Sequence, residues 1–215
     1  REVMKYKMIC IDLDGTLWDA LEEINDSYNA FMLENNLPYR FTKDITSSYM
    51  GLTPLETARL AFKDLDDDKA MKLFHLLFKF EIAYLRKYPG KLYNNEEEVI
   101  NALSKSYPLY IVSNADKGYI ENYLFGCDMN QYFKGHICAG DTDCDKATNI
   151  KILMEKEGIN EVIYVGDTLK DYDQSKKAGV QFIYASYGFG SIDFKVNKID
   201  NLNELIPLIS KIFNN

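Results

Sequence analysis

At 215 residues, with 47% apolar and 27% charged side chains, the chain has the composition of a globular protein and the length for one sizeable core plus an inserted subdomain. Acids outnumber bases by 33 to 25, a net charge of −8, which argues against nucleic acid recognised through a basic face but leaves room for a small anion in a local pocket. No apolar run approaches a membrane span and the four cysteines form no CxxC pair, so the sequence predicts a cytoplasmic protein with reduced thiols, engaging no nucleic acid and no membrane.

The chain opens on Arg1, and residues 1–3 carry no motif. Ile9-Cys10-Ile11 ends an apolar run that reads as a buried strand, and Asp12-Leu13-Asp14-Gly15-Thr16 stands at its carboxyl end. A helix comes next, with Leu21, Ile24, Tyr28 and Phe31 on one face; Asn35, Asn36 and Pro38 end it. A shorter helix is predicted over residues 42–50 with Gly51 as its stop, and Thr53-Pro54-Leu55-Glu56 has the form of a capping box with Pro at the first helical position. A longer pattern carries Met71, Phe74, Leu77, Phe78 and Ile82 from about 67 to 88, where Pro89-Gly90 breaks it, so residues 20–86 are all helix and loop.

From Pro89 the rhythm becomes alternating helix and strand. Asn95-Glu96-Glu97-Glu98 caps a helix to about Ser104, and Leu109-Tyr110-Ile111-Val112 is a strand ending at Ser113-Asn114. A helix over 119–125 and a strand Gly135-His136-Ile137-Cys138 come next, then a helix from Lys146 to Glu157 stopped by Gly158. Val162-Ile163-Tyr164-Val165 is a strand ending at Gly166-Asp167, a helix from Leu169 stops at Gly179, and Gln181-Phe182-Ile183-Tyr184 is the last strand. Apolar strands alternating with helices predict an α/β parallel sheet covered on both faces, with an all-helical subdomain inserted after the first strand.

Strand ends are where open α/β sheets place their ligand crevices, and the chemistry collects there. Asp12 and Asp14 are costly neighbours: at ~4 Å and an effective dielectric of ~20, like charges repel by ~4 kcal/mol, so a hard divalent cation is expected to hold them ionised. Gly15 permits a tight turn and Thr16 offers a hydroxyl to it. Each feature alone is ordinary turn or surface chemistry. Their order is not: Asp12/Asp14, then Ser113-Asn114, then Lys146, then Gly166-Asp167-Thr168 with Asp171.

In that order these residues resemble the four motifs of the haloacid dehalogenase-like hydrolases, in particular the phosphoglycolate-phosphatase-like branch, from about residue 7 to 186. The resemblance implies a Rossmann-like core over residues 1–19 and 87–215 and a helical cap over 20–86. It implies a magnesium-dependent phosphatase acting on a small phosphorylated metabolite through an aspartyl phosphate, as a monomer or homodimer. Asp12 is then the nucleophile and Asp14 the acid/base group; Ser113, Asn114 and Lys146 hold the phosphoryl oxygens; Mg2+ lies among the Asp12 carboxylate, the Asp14 carbonyl and Asp167, with Asp171 in support. Lys146-Ala147 replaces the Lys-Pro frequent in the family, which leaves Lys151 as a competitor for the lysine role.

Alternatives within the resemblance are a phosphosugar mutase and a binding protein that keeps the site without turnover. The β-phosphoglucomutase branch commonly carries His where this chain has Ile24, and dehalogenases lack the aspartate at the position of Asp14. Asp141-x-Asp143-x-Asp145 begins like a calcium loop but has Lys146 and Ile152 where Gly and Glu are needed; Cys127, His136, Cys138 and Cys144 lack a zinc knuckle. Trp18 is read as packing, with a place at the pocket wall left open.

Overall fold

The computed structural model describes residues 7–214; residues 1–3 lie outside the described residues. The first predicted strand forms as β1 (Lys7–Ile11), and after the turn at 12–17 a short strand β2 (Trp18–Asp19) leads into four helices. These are α1 (Leu21–Glu34), α2 (Lys43–Ser47), α3 (Pro54–Ala61) and α4 (Asp67–Lys87). β3 (Lys91–Leu92) then pairs antiparallel with β2, Trp18 opposite Leu92 and Asp19 opposite Lys91. The helical stretch leaves and re-enters through this one ribbon.

The helices start where the side chains can cap them. The Thr53 hydroxyl accepts from the Glu56 N–H while the Glu56 carboxylate accepts from the Thr53 N–H at 2.7 Å, and Asp66 accepts from Lys69 N–H at 2.9 Å. α2 ends earlier than the predicted 42–50, because from Ser48 to Leu52 the main chain tightens to i→i+3 bonds before Gly51 turns it at φ 76°.

The core continues with α5 (Glu96–Ser104), β4 (Leu109–Ser113), α6 (Tyr119–Gly126), β5 (Gly135–Cys138), α7 (Ala139–Thr142), α8 (Lys146–Glu157), β6 (Glu161–Gly166), α9 (Leu169–Ala178), β7 (Gln181–Ala185), β8 (Lys198–Ile199) and α10 (Leu205–Phe213). α7, β8 and α10 were not foreseen in the sequence. Asn95 does not cap α5 as expected: it sits at φ 59°, and its amide donates to Asn203 at 3.3 Å while Glu96 reaches back to the Tyr93 N–H.

Among the described residues, six parallel strands run in the order β5-β4-β1-β6-β7-β8. Period-two alternation sorts each strand between two cores. Ile9, Ile11, Ile111, Ile163, Val165 and Ile183 pack with α5, α6 and α10, whereas Met8, Cys10, Tyr110, Val112, Val162 and Tyr164 pack under α8 and α9. The chain builds outward from β1 through β4 to β5, then returns to add β6, β7 and β8 on the other side. β1 is therefore the switch point, and the crevice at its carboxyl end is the natural ligand site.

Candidate active site

Asp12, the first residue after β1, is 3% exposed, and its N–H donates to the Val165 carbonyl of neighbouring β6 at 2.8 Å. Lys146 reaches it from the opposite layer. Asp145 caps α8 by accepting from the Thr148 N–H at 2.9 Å, which puts Lys146 at the first helical position with its side chain buried. Lys146 Nζ lies 2.8 Å from Asp12 Oδ1 and 2.6 Å from Asp171 Oδ1. Lys151 is on the exposed side of the same helix.

Asp171 is at the third position of α9, in a capping box with Thr168. Its Oδ2 accepts from the Thr168 N–H and hydroxyl at 3.0 and 2.6 Å, and the Tyr164 hydroxyl stands 3.3 Å from Oδ1. Both oxygens thus already serve protein donors. Asp167 closes the cluster: its Oδ2 accepts from the Phe189 N–H at 2.7 Å and the Thr16 hydroxyl, expected to hold the turn, is instead 3.5 Å from Oδ1, the turn itself being held by main-chain bonds to Leu13. Two glycines make that approach possible, since a Cβ on Gly15 or on Gly188 would stand 2.3 Å from an Asp167 side-chain atom.

Carboxylate oxygens of Asp12, Asp167 and Asp171 lie within 4.8 Å of one another. Three carboxylates against one ammonium leave an excess of two negative charges in a buried space, and a hard divalent cation with oxygen ligands fits that set in both charge and donor type. The electrostatics agree. Burial, then Asp171, pushes Asp12 well above the usual carboxylate range despite Lys146; burial, then Asp171, lifts Asp167 to about 7. Asp171 goes the other way: burial would raise it, but Lys146 and the Thr168 donors hold it below. Lys146 is disfavoured as a cation by burial and yet raised by Asp12 and Asp171, so it stays charged.

Asp14 points elsewhere. The Tyr119 hydroxyl donates to its Oδ1 at 2.8 Å, and burial lifts it to about 6 although that bond and Lys146 pull it down. Ser113 and Asn114 complete the rim from the end of β4; the Ser113 hydroxyl accepts from the Ala115 N–H at 3.2 Å and the Asn114 amide donates to the Gly51 carbonyl at 3.0 Å. The site residues named from sequence thus converge on one crevice. Trp18 is absent from its wall; it is fully buried with its ring edge-on to Tyr119 and Tyr123.

A cavity of about 70 Å³ opens directly onto Asp12, Asp14, Ser113, Asn114 and Lys146, and helices α1, α3 and α4 supply its far wall. Glu81 on α4 lies in that wall, 3% exposed and beside Tyr28, and sequence reading missed it. The signal was there. Phe74, Leu77, Phe78, Glu81 and Leu85 form one buried stripe, in which Glu81 is the only charged member. The acids at 141, 143 and 145 have local duties: Asp141 accepts from the Cys138 N–H, Asp143 takes a left-handed turn at φ 55°, and Asp145 caps α8.

The family model described as haloacid dehalogenase-like hydrolase matches residues 9–185. The chain belongs to the haloacid dehalogenase-like hydrolases. Among its relatives are the phosphoglycolate phosphatases of Aquifex aeolicus, 26% identical with 93% of this chain and 96% of that one covered, and of Pseudomonas savastanoi, 23% identical with 94% and 79% covered. The fold matches the crystal structure of a predicted phosphoglycolate phosphatase from Haemophilus somnus with a TM-score of 0.80, 21% identity, and 96% and 99% of the two chains covered. Membership makes this a hydrolase with phosphatases among its relatives, and the crevice at the end of β1 is where the family's motif residues meet.

Proposed function

We propose that the protein is a magnesium-dependent phosphatase that hydrolyses a small phosphomonoester through an aspartyl phosphate. The observation that carries this reading is the buried Lys146 bridging Asp12 and Asp171 beside a small cavity. That arrangement sets an anionic nucleophile and a fixed cation at one point, where an incoming phosphoryl group needs both.

In the proposed sequence, Asp12 attacks phosphorus and the ester oxygen departs with a proton from Asp14; water then attacks the aspartyl phosphate, with Asp14 now taking the proton. Asp14 suits both duties because burial lifts it to about 6, near the working range, and Tyr119 fixes its orientation. Lys146, the Ser113 hydroxyl and the Asn114 N–H bind the phosphoryl oxygens and stabilise the charge that builds on them. Mg2+, held by Asp12, Asp167 and the Asp14 carbonyl, would supply charge neutralisation that keeps Asp12 ionised and the phosphoryl group accessible to it. Asp171 acts through Lys146, since both of its oxygens serve protein donors.

Residues 20–86 serve as a cap in this reading. Asn114 to the Gly51 carbonyl, Asn122 to the Ile82 carbonyl at 3.2 Å and Lys170 to Glu56 at 2.6 Å tie the helices down over the crevice. At about 70 Å³ the cavity holds a phosphoryl group and a few further atoms rather than a bulky ester. Closure of this kind excludes water and bulky substrates together. Among the described residues no helix is long and apolar enough to cross a membrane, which accords with a soluble metabolite as substrate. Phosphate release from a panel of small esters, with magnesium and then with EDTA, tests the reading: turnover restored by magnesium supports it, and full activity in EDTA refutes it.

A further inference from the structure

The wall of the cavity that faces the phosphoryl site is built from α1, α3 and α4, and its chemistry is distinctive. Glu81 is a carboxyl group removed from solvent, with Tyr28 beside it. Around it stand the rings of Tyr28, Phe74 and Phe78, the last stacked on Tyr119 with centroids 6.1 Å apart. Among the described residues Lys146 is the only cationic one lining the cavity, and it is already committed to Asp12 and Asp171 at the other end.

A leaving group that enters this space meets a carboxyl and aromatic faces. A carboxylate there would be buried beside Glu81 with no countercharge. A hydroxyl would find hydrogen-bond partners such as Glu81, Tyr49 and Thr57 but no charge to pair with. A protonated amine would find a carboxyl to pair with and ring faces whose quadrupoles attract cations. We propose that the substrate is a small amino-alcohol phosphate, its ammonium seated between Glu81 and the rings of Tyr28 and Phe78, and that Glu81 is the residue that selects it. Burial, with Asp14 adding to it, holds Glu81 well above the usual carboxylate range, so it stands in the wall without a cationic partner. This rests on the phosphatase reading above and narrows it: the phosphoglycolate of the named relatives would be discriminated against.

The test compares kcat/KM for phosphoethanolamine, glycerol 3-phosphate and phosphoglycolate at equal magnesium, with acetyl phosphate as a small activated control. The wild type should favour the amine at least ~10-fold over the hydroxyl ester and more over the carboxylate. Glu81→Gln should raise KM for the amine and bring the amine-to-hydroxyl ratio to near parity; this ratio does not follow from a loss of folded protein, which lowers all rates together. Phosphoglycolate or glycerol phosphate matching the amine in the wild type, or a ratio unmoved in Glu81→Gln, overturns the inference alone. Acetyl phosphate left intact by wild type and by Asp12→Asn alike overturns the phosphatase reading beneath it.

Discussion

Replacing Lys146 by Met keeps the length of the buried side chain and removes its charge, which isolates the ion pairs Lys146 makes with Asp12 and Asp171. The ammonium is 2.8 Å from Asp12 and 2.6 Å from Asp171, where an effective dielectric of ~20 gives about 6 kcal/mol of attraction per contact, set against the cost of burying all three charges. Removing one partner from such a group typically costs about 3–5 kcal/mol, because the acids are left buried and uncompensated. For a chain of this size each kcal/mol moves Tm by about 2–4 °C, so Lys146→Met should melt roughly 6–20 °C lower near neutral pH in EDTA. Asp171 loses the cation that now holds it down, and both acids in the variant titrate above their unfolded value of about 3.9. Folded variant then binds protons that the unfolded chain has released, so its stability falls as pH rises and its deficit shrinks as pH drops toward about 4. Circular-dichroism melts at several pH values give both readouts. A Tm within ~2 °C of wild type near neutral pH, or a deficit that does not shrink in acid, would falsify the account of Lys146 as the compensating charge.

Asp12→Asn should leave the fold intact and remove nearly all turnover, because an amide cannot attack phosphorus; a tenth of the wild-type rate remaining, on the order of 1.4 kcal/mol, would exclude the nucleophile role. Asp14→Asn should slow release of poor alkoxide leaving groups far more than of nitrophenolate, and equal losses in the phosphorylation step would mean that Asp14 is not the acid. Glu96 is a raised acid away from the crevice, lifted to about 8 by burial, with the Tyr123 hydroxyl at 2.6 Å. Its folded form holds a proton that the unfolded chain gives up, so it lowers stability as pH climbs from about 4 to about 8. Glu96→Gln should flatten that part of the stability curve measured by urea unfolding; an unchanged slope would rule out Glu96 as its source.

The sheet was legible because buried parallel strands are continuous apolar runs, and each ends in a residue that the fold then uses: Asp12 after β1, Ser113 at the end of β4, Asp167 after β6. Helix stops were legible where Gly158 and Gly179 take left-handed turns. Lys146 could be named but not distinguished from Lys151 by spacing alone, since only the turn of α8 set by Asp145 decides which lysine faces inward. Tyr119 stayed hidden for another reason. Its importance comes from a contact across a long stretch of chain, with Asp14 105 residues away, which no local pattern encodes. β8 is two residues long and carries little signal; α10 has an apolar face, with Leu205 and Ile209 buried and Pro207 in its first turn.

The ribbon of β2 and β3 does more than connect. Trp18 returns hydrogen bonds to the loop just before it, its N–H to the Leu13 carbonyl at 3.0 Å and its carbonyl from the Gly15 N–H at 2.9 Å, and it forms a bridge with Asp14 itself. The same residue pairs with Leu92 at the root of the helical arm, and a Cβ on Gly90 would strike its ring at 2.6 Å. Asp14 is thus mounted on the pivot. In the proposed mechanism, a swing of the arm wide enough to admit substrate would shift Asp14 while Asp12, anchored in the sheet, stays put. Opening and disarming would then be one motion: the gate could stand wide with Asp12 in place and no proton at hand, and only a shut gate would bring the two carboxyls back into register.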